Sequence, residues 1–487
     1  MSDNKVVQNS VGWSLFSEVA AKFITPITNM ILARLLTPAD FGVLAVCNMV
    51  VSFMDIITDA GFGKFLVQKN FRDEDEKSRY ACVAFWSNFI LSVLLFLVIF
   101  VFRNSIALAL GNIEYAVVLC VASVQLIITS LSSIQMGLFR RAFGYKKLFW
   151  NRMAVVIVPL VITVPIAYIT KSYWALIIGN LTGAFCTSVL LTYMSSWKPY
   201  FYYSFTLFKR MFSFSFWSLC EGLGHWIIFW IDTFIIAGVY SDYYLGLYKN
   251  SANAVMSIMG MISAAVSPVL LSVLSRLQGR ADDFRRVFFD IFKIMSYLTI
   301  PMGLGLFCFR DVVTYILLGS QWGEAANVIG AWGLMMIGSV IFYTFTAELY
   351  KSTGIPRILF FFQVAYLVVL IPVCKWAVNL GFWEFVYIRC ACIVAQIVIS
   401  MLFIKQFFSI SPVRLVHQLV YPLLASTSIV VVANVYAWMK DAYNLVPFYW
   451  EFTFLVLAGI SYIAVILIFF RNDLLEARKR IQQVRIE

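Results

Sequence analysis

Ile31–Gly42 reads ILARLLTPADFG, and Ile235–Gly246 reads IIAGVYSDYYLG. Each closes an apolar segment, breaks it with a short polar turn and opens the next. Gly42 and Gly246 stand 204 residues apart, and at the same shift Ile31/Ile235, Ala33/Ala237, Trp13/Trp217, Ser14/Ser218 and Leu15/Leu219 also coincide. A second pair of stretches, LFRRAFGYKKLF at Leu138–Phe149 and ELYKSTGIPRIL at Glu348–Leu359, aligns Gly144 with Gly354 at a shift of 210. A period of about two hundred residues means that the chain is built from two similar halves. In a membrane protein, such halves point to a transporter with its site at the repeat interface.

That this is a membrane protein follows from composition. Of 487 residues, 62% are hydrophobic and 13% charged, against about 45–50% and about 25% in a soluble domain. Crossing a bilayer takes about 20 apolar residues per helix. Segments of that kind lie near 12–35, 40–62, 80–102, 114–138, 150–170, 173–194, 211–237, 246–275, 288–309, 325–350, 357–378, 382–404, 415–438 and 448–470. The expected fold is therefore all-α and polytopic, with about 14 transmembrane helices. Two pseudo-symmetric six-helix lobes would be followed by two extra helices. The division is 1–194 for the first lobe, 195–210 for a linker, 211–405 for the second lobe and 406–470 for the extra helices. An amphipathic tail would occupy 471–487. Six is an even number, so the two lobes point the same way across the membrane. The first segment has a polar stretch before it and no small-residue cleavage site, so it reads as a helix and not as a signal peptide.

Most of the 37 Lys and Arg residues fall in connections on one side of this arrangement. By the positive-inside rule that side is cytoplasmic, and both termini lie there. The net charge of +12 is thus a topology signal. Nucleic-acid binding would need a basic folded face, which the short connections do not provide. The nine cysteines lie in apolar segments without C-x-x-C or metal spacing. No P-loop, H-E-x-x-H or G-x-S-x-G is present, and no soluble catalytic domain fits between the segments. The chain reads as a non-enzyme without a cofactor or metal.

The polar residues inside the segments are patterned. In helix 1, Ser14, Glu18, Lys22, Thr25 and Asn29 recur at three- or four-residue spacing, which puts them on one face. Helix 2 repeats this with Asn48, Ser52, Asp55 and Asp59, helix 7 with Ser218, Glu221, His225 and Asp232, and helix 8 with Asn250, Asn253 and Ser257. Charge is costly in a bilayer, so these stripes turn away from lipid, toward one another or toward a cavity. The cavity set is Glu18, Lys22, Asn29, Arg34, Asp55, Asp59, Glu221, His225, Asp232, Asn253 and Arg389. Lys64 and Lys69 flank it in the loop after helix 2. Each acid has an alternative role as the buried partner of a base on another helix, and Arg34 could simply snorkel. Asp55–Asp59 and Glu221–His225 leave coupling to a proton or sodium gradient open.

The sequence resembles the Wzx-type polysaccharide flippases, close to the exporters of colanic-acid and related lipopolysaccharide units. They belong to a superfamily that also contains multidrug exporters and lipid II flippases. The resemblance rests on LARLLTPADFGVL at Leu32–Leu44, TDAGFGKFLVQK at Thr58–Lys69 and LLGSQWGEA at Leu317–Ala325. It implies a multi-pass protein of the bacterial inner membrane that works by alternating access. The implied substrate is undecaprenyl diphosphate carrying an oligosaccharide. Membrane lipid and other polysaccharide-assembly membrane proteins are the implied partners, and nucleic acid is not among them. Such cavities usually present cations to the diphosphate, whereas these stripes set Lys22 and His225 against Glu18, Asp55, Asp59, Glu221 and Asp232. On this resemblance Lys22, supported by Glu18, is the expected diphosphate contact. Two other classes compete: a multidrug or organic-cation antiporter of the same fold, favoured by the acids, and a membrane enzyme of glycan assembly. The enzyme would need a long external loop, which the segment spacing does not leave.

Overall fold

The computed structural model describes residues 24–142, 144–276, 281–352, 357–408, 410–443, 448–471 and Leu475. Every regular element among them is helical. Close packing divides the chain into two compact units, 1–249 and 250–487.

The first unit opens with α1 (24–35) and α2 (Pro38–Asp59). The TPAD turn between them works as a helix start. Thr37 caps α2: its hydroxyl accepts from the Asp40 amide, while Asp40 accepts from the Thr37 amide at 2.9 Å, and Pro38 fills the first helical position. The other Asp40 oxygen accepts the Tyr173 amide at 2.9 Å. There follow α3 (Phe62–Gln68), α4 (Glu74–Ala109), α5 (Tyr115–Ser130) and α6 (Ser133–Arg141). Next come α7 (Tyr145–Val158), a π-helical turn at Pro159–Thr163, α8 (Val164–Thr170), α9 (Trp174–Met194) and α10 (Phe205–Val239). The start of α11 (Asp242–Arg276) completes the unit. Helix α10 begins at Phe205, inside the stretch 195–210 that the sequence reads as linker. Phe205, Phe208, Phe212 and Phe216 stack along one side of it at centroid distances of 5.9, 5.9 and 6.4 Å, which carries the helix back into that stretch. Because α10 packs on α2, α3 and α4, the boundary of close packing falls inside α11.

The repeated glycines account for themselves here. A Cβ on Gly42 would lie 2.2 Å from the Asp242 carbonyl oxygen, and one on Gly246 would lie 1.7 Å from that of Pro38. The starts of the two repeat-related helices α2 and α11 therefore cross backbone against backbone, which only glycine permits. Tyr115 of α5 donates its hydroxyl to the Asp242 carboxylate at the same crossing.

The second unit holds the rest of α11 with α12 (Ala281–Cys308), α13 (Arg310–Leu317), α14 (Ala325–Gly338), α15 (Phe345–Ser352) and α16 (Arg357–Ala377). It ends with α17 (Phe382–Ala391), α18 (Ile393–Phe408), α19 (Pro412–Tyr443) and α20 (Phe448–Val465). Short π-helical turns at Ser339–Thr344 and Ile466–Phe470 join α14 to α15 and extend α20.

Twelve stretches among the described residues are long and apolar enough to cross a membrane. They match twelve of the fourteen expected segments. The other two are the first, of which only 24–35 is described, and 246–275, which lies in the 35-residue helix α11. The surface agrees: large apolar side chains such as Val101 (69% exposed) on α4 and Ile468 (72%) after α20 point outward. Contiguous apolar surface on this scale belongs to a protein whose solvent is lipid.

Candidate functional site

The site is built where TDAGFGK, Thr58–Lys64, ends α2. Ala60 and Gly61 both adopt left-handed backbone, at φ 39° and 75°, so the chain reverses sharply into α3. A Cβ on Gly61 would stand 3.2–3.3 Å from the Ser215 and Ser218 side chains, which places α10 directly over the turn. Gly63 packs against Gly137 of α6. Below the turn, Phe62, Phe65 and Leu66 of α3 are buried with Tyr80, Ala84 and Phe85 of α4, Ile134 of α6 and Met211 of α10. This apolar plug fixes α3, and with it Lys64, on the other side of the turn.

Four of the expected residues come together there. Lys64 donates through Nζ to Ser218 Oγ at 2.8 Å and lies 3.8 Å from Glu221 Oε2. Asp59 accepts from the Gly61 and Gly63 amides and lies within electrostatic range of Lys64 and Arg140. One turn earlier, Asp55 accepts the Thr129 hydroxyl of α5 at 3.3 Å. A further turn back, Trp226 of α10 donates its indole N–H to Ser52 at 3.0 Å. The result is a polar strip along the facing sides of α2 and α10, with the carboxylates of Asp55, Asp59 and Glu221 and, at its α3 end, the Lys64 ammonium. His225 is exposed on α10, one turn beyond Glu221.

The other expected residues are placed as follows. Asn29 lines a small cavity with Asn180 of α9, and Asn180 in turn approaches Asn48 Oδ1 at 3.4 Å. Arg34 is exposed and donates to the Met30 carbonyl one turn back along its own helix. Lys69 is enclosed: its Nζ lies 3.2 Å from Glu76 and 3.4 Å from the Tyr80 ring centroid, with Phe65 and Phe71 within 5.6 Å. Beside it, Arg141 points Nη1 at the carbonyls of Leu66, Val67 and Lys69, the end of α3. In the second unit, Asn253 is half-buried on α11. Arg389 is buried on α17, 3.7 Å from Met335 Sδ and 5.8 Å from the Trp332 ring. Glu18 and Lys22, and the tail apart from Arg471 and Leu475, lie outside the described residues.

Asp232 sits apart from this strip, in a cluster the sequence reading does not contain. It is 1% exposed, and Lys249, 2% exposed, approaches it at 4.0 Å. Tyr248 donates to it at 2.8 Å and the Thr233 amide at 2.7 Å. Lys249 also donates to the Phe229 carbonyl and lies 4.0 and 4.1 Å from the rings of Phe229 and Trp230. Arg140 and Lys249 are thus the two cations that sequence reasoning left out. Arg140 was legible only as a loop charge. Lys249 stands near the start of its segment, where a lysine reads as a boundary residue.

The second unit contains an apolar groove of about 380 Å³, lined by Ile258, Leu298, Met302, Leu455, Gly459 and Ile463 among others. Tyr462 closes one side of it, its hydroxyl bonded to the Tyr297 carbonyl at 2.5 Å.

An all-helical bundle with buried polar strips and lipid-facing walls defines a polytopic membrane protein of the transporter kind. Its fold is that of the lipid II flippase MurJ in an inward closed conformation, with a TM-score of 0.78 at 13% identity, over 95% of this chain and 99% of that one. The chain belongs to the polysaccharide biosynthesis protein family, which it matches over residues 31–327. Two similar relatives are the uncharacterized membrane protein in the cps region of Klebsiella pneumoniae and the succinoglycan biosynthesis transport protein ExoT of Rhizobium meliloti (strain 1021). Each is 26% identical. The first alignment covers 73% of this chain and 75% of the relative; the second covers 67% and 65%.

Proposed function

We propose that this protein moves undecaprenyl-diphosphate-linked oligosaccharide units from the cytoplasmic to the periplasmic leaflet of the bacterial inner membrane by alternating access. The observation that carries this reading is the cluster of Lys64, Ser218, Glu221, Asp59 and Arg140 at the α2–α3 turn. Family membership, a relative named as a transport protein of succinoglycan biosynthesis and the MurJ-like fold support it. A diphosphate in hydrocarbon is prohibitive unless it is paired with cations. Lys64 is 59% exposed on its side chain and held by groups a diphosphate can displace. Glu221 keeps the ammonium when the site is empty, and the phosphate oxygens replace it when substrate arrives. The apolar groove of the second unit has the character needed to shelter a stretch of polyprenyl chain. Asp55 and Asp59 remain as carriers for a proton or sodium gradient.

The second reading, an organic-cation antiporter, draws on the carboxylates Asp55, Asp59 and Glu221. One experiment separates the two. A deletion strain is assayed for surface glycan, for lipid-linked precursor in the inner membrane and for susceptibility to cationic drugs. Loss of glycan with accumulation of precursor is expected. Unchanged glycan with heightened drug sensitivity would replace the first reading by the second.

A further inference from the structure

The small cavity that holds Asn29 is the least explained space in the first unit. It measures about 180 Å³ and lies among α1, α2, the end of α7 with its π-helical turn, and α9. Its polar groups are the hydroxyls of Thr25, Thr28 and Thr163 and the carboxamides of Asn29 and Asn180. The rest of the wall is apolar, with Phe41 on one side and Pro159 on another, and among the described residues no charged side chain lines it.

Two features mark it as built to hold something. Thr163 is 2% exposed, and its hydroxyl has no partner among the described residues. The threonine side chain fits at this edge of the cavity because position 179 of α9 is glycine: a Cβ there would lie 1.8 Å from Thr163 Oγ1. The backbone is irregular at the same place. Pro159 begins the π-helical turn and has no N–H, so a carbonyl of the preceding turn loses its helical donor. Irregular backbone at membrane depth is tolerated where it borders a cavity, and π-turns gather at functional sites.

We infer that this cavity is a subsite for one neutral sugar residue of the transported glycan; the inference rests on the reading of the protein as a glycolipid flippase. A pyranose has apolar C–H faces and a rim of hydroxyls that both donate and accept. Carboxamides and threonine hydroxyls also donate and accept, so each can serve either role. The apolar wall formed by Phe41 and its neighbours meets the ring face. An ion is disfavoured, because taking a charge out of water needs an opposite charge and the described lining offers none. At about 30 Å³ per water, the empty cavity holds about six water molecules, enough to be displaced by a single ring and too few for a disaccharide. Thr25 and Asn180 are exposed at its edge, so it opens outward from the packed helices.

The test uses the purified full-length protein in nanodiscs. Saturation-transfer NMR is recorded against a panel of glucose, galactose, mannose, rhamnose and N-acetylglucosamine, with sodium-23 linewidth measured in parallel. At least one neutral sugar should receive saturation. Thr163→Val and Asn180→Ala should each weaken that binding about three- to tenfold, the loss of one neutral hydrogen bond. Asn434→Ala, on α19 in the other unit, should leave it unchanged. Monodisperse gel filtration of both variants excludes misfolding as the cause. Three results would overturn the inference: no sugar is saturated, binding is unchanged in both variants, or sodium broadening disappears in the variants while no sugar binds. Glycan export in a strain lacking its own flippase separates the two levels. If the wild-type protein fails to restore export, the flippase reading fails. If export is restored and the variants bind sugar like wild type, only the subsite fails.

Discussion

Lys64 and Lys249 each face a carboxylate, and their surroundings give them opposite roles. The Lys64 side chain is 59% exposed and that of Glu221 28%. A pair so placed contributes under about 1 kcal/mol, little enough for an incoming phosphate to exchange partners with it. Lys64→Ala should therefore leave folding nearly untouched and cut glycan export at least about tenfold, the effect of about 1.4 kcal/mol lost at the substrate contact. Lys64→Arg should retain part of the export. Surface glycan measured at matched protein level decides it, and full export by the alanine variant would remove Lys64 from the phosphate site. The Asp232–Lys249 pair is buried on both sides. Removing one member strands the other charge and costs about 3–5 kcal/mol, whereas replacing both by apolar residues is often close to neutral. Lys249→Met alone should lower the melting temperature markedly, and Asp232→Leu with Lys249→Met should recover most of it. A single variant that melts like wild type would show that Lys249 does not neutralise Asp232. Of these residues, Asp55, Asp59, Glu221 and Asp232 could be read from spacing along their own helices. Their pairing could not, because Lys64 and Ser218, each legible by itself, are separated by 154 positions, and no local periodicity connects them.

At the scale of elements, glycine motifs legible in the sequence prove to be places where the chain turns or backbones touch. Gly42 and Gly246 form the crossing of α2 and α11, and Gly61 with Gly63 forms the reversal into α3. The sequence shows Gly42 and Gly246 at matching offsets, and hence the repeat. It does not show that the two copies of the first motif pack against each other, since contact between equivalent positions depends on how the helices are brought together. Neither does hydropathy show that α10 starts at Phe205, because a run of Phe, Tyr and Lys has the composition of an interfacial loop as well as of a helix end. Gly42→Ala and Gly246→Ala should each destabilise the fold by about 1–3 kcal/mol through overpacking at the crossing, with Gly246 the worse, since its added Cβ meets a carbonyl oxygen at 1.7 Å against 2.2 Å for Gly42. Thermal unfolding in detergent, followed by size-exclusion chromatography, measures both. Equal stability of Gly246→Ala and wild type would mean that α2 and α11 are not in contact there.

For the whole molecule the decisive element is α11. Of the fourteen segments that the described residues cover in full, it is the one absent from the twelve apolar spans, and the parity of everything after it depends on whether it crosses. Its 35 residues extend about 52 Å at 1.5 Å per residue, more than the roughly 30 Å of hydrocarbon. Length is therefore sufficient, and the question is polarity. Its most costly group, Lys249, is neutralised within the protein by Asp232. Two of its remaining polar groups, Asn250 and Ser251, are buried, and Ser257 returns its hydroxyl to the Asn253 carbonyl at 2.8 Å. A helix that turns its polar groups into the protein, away from lipid, can cross, although hydropathy alone does not select it. Crossing makes the first six spans and the next six equal in number, so that both halves run the same way and the basic connections collect on one side. Reporter fusions at Ser241 and Asp282, on either side of α11, test this directly. Ser241 should report the periplasm together with Asn104 and Lys171, and Asp282 the cytoplasm together with Lys146 and Arg414. A periplasmic signal at Asp282 would mean that α11 lies along the membrane instead of through it. The second half would then be inverted relative to the first, its arginine-rich connections would face outward, and the parallel two-lobe arrangement would have to be abandoned.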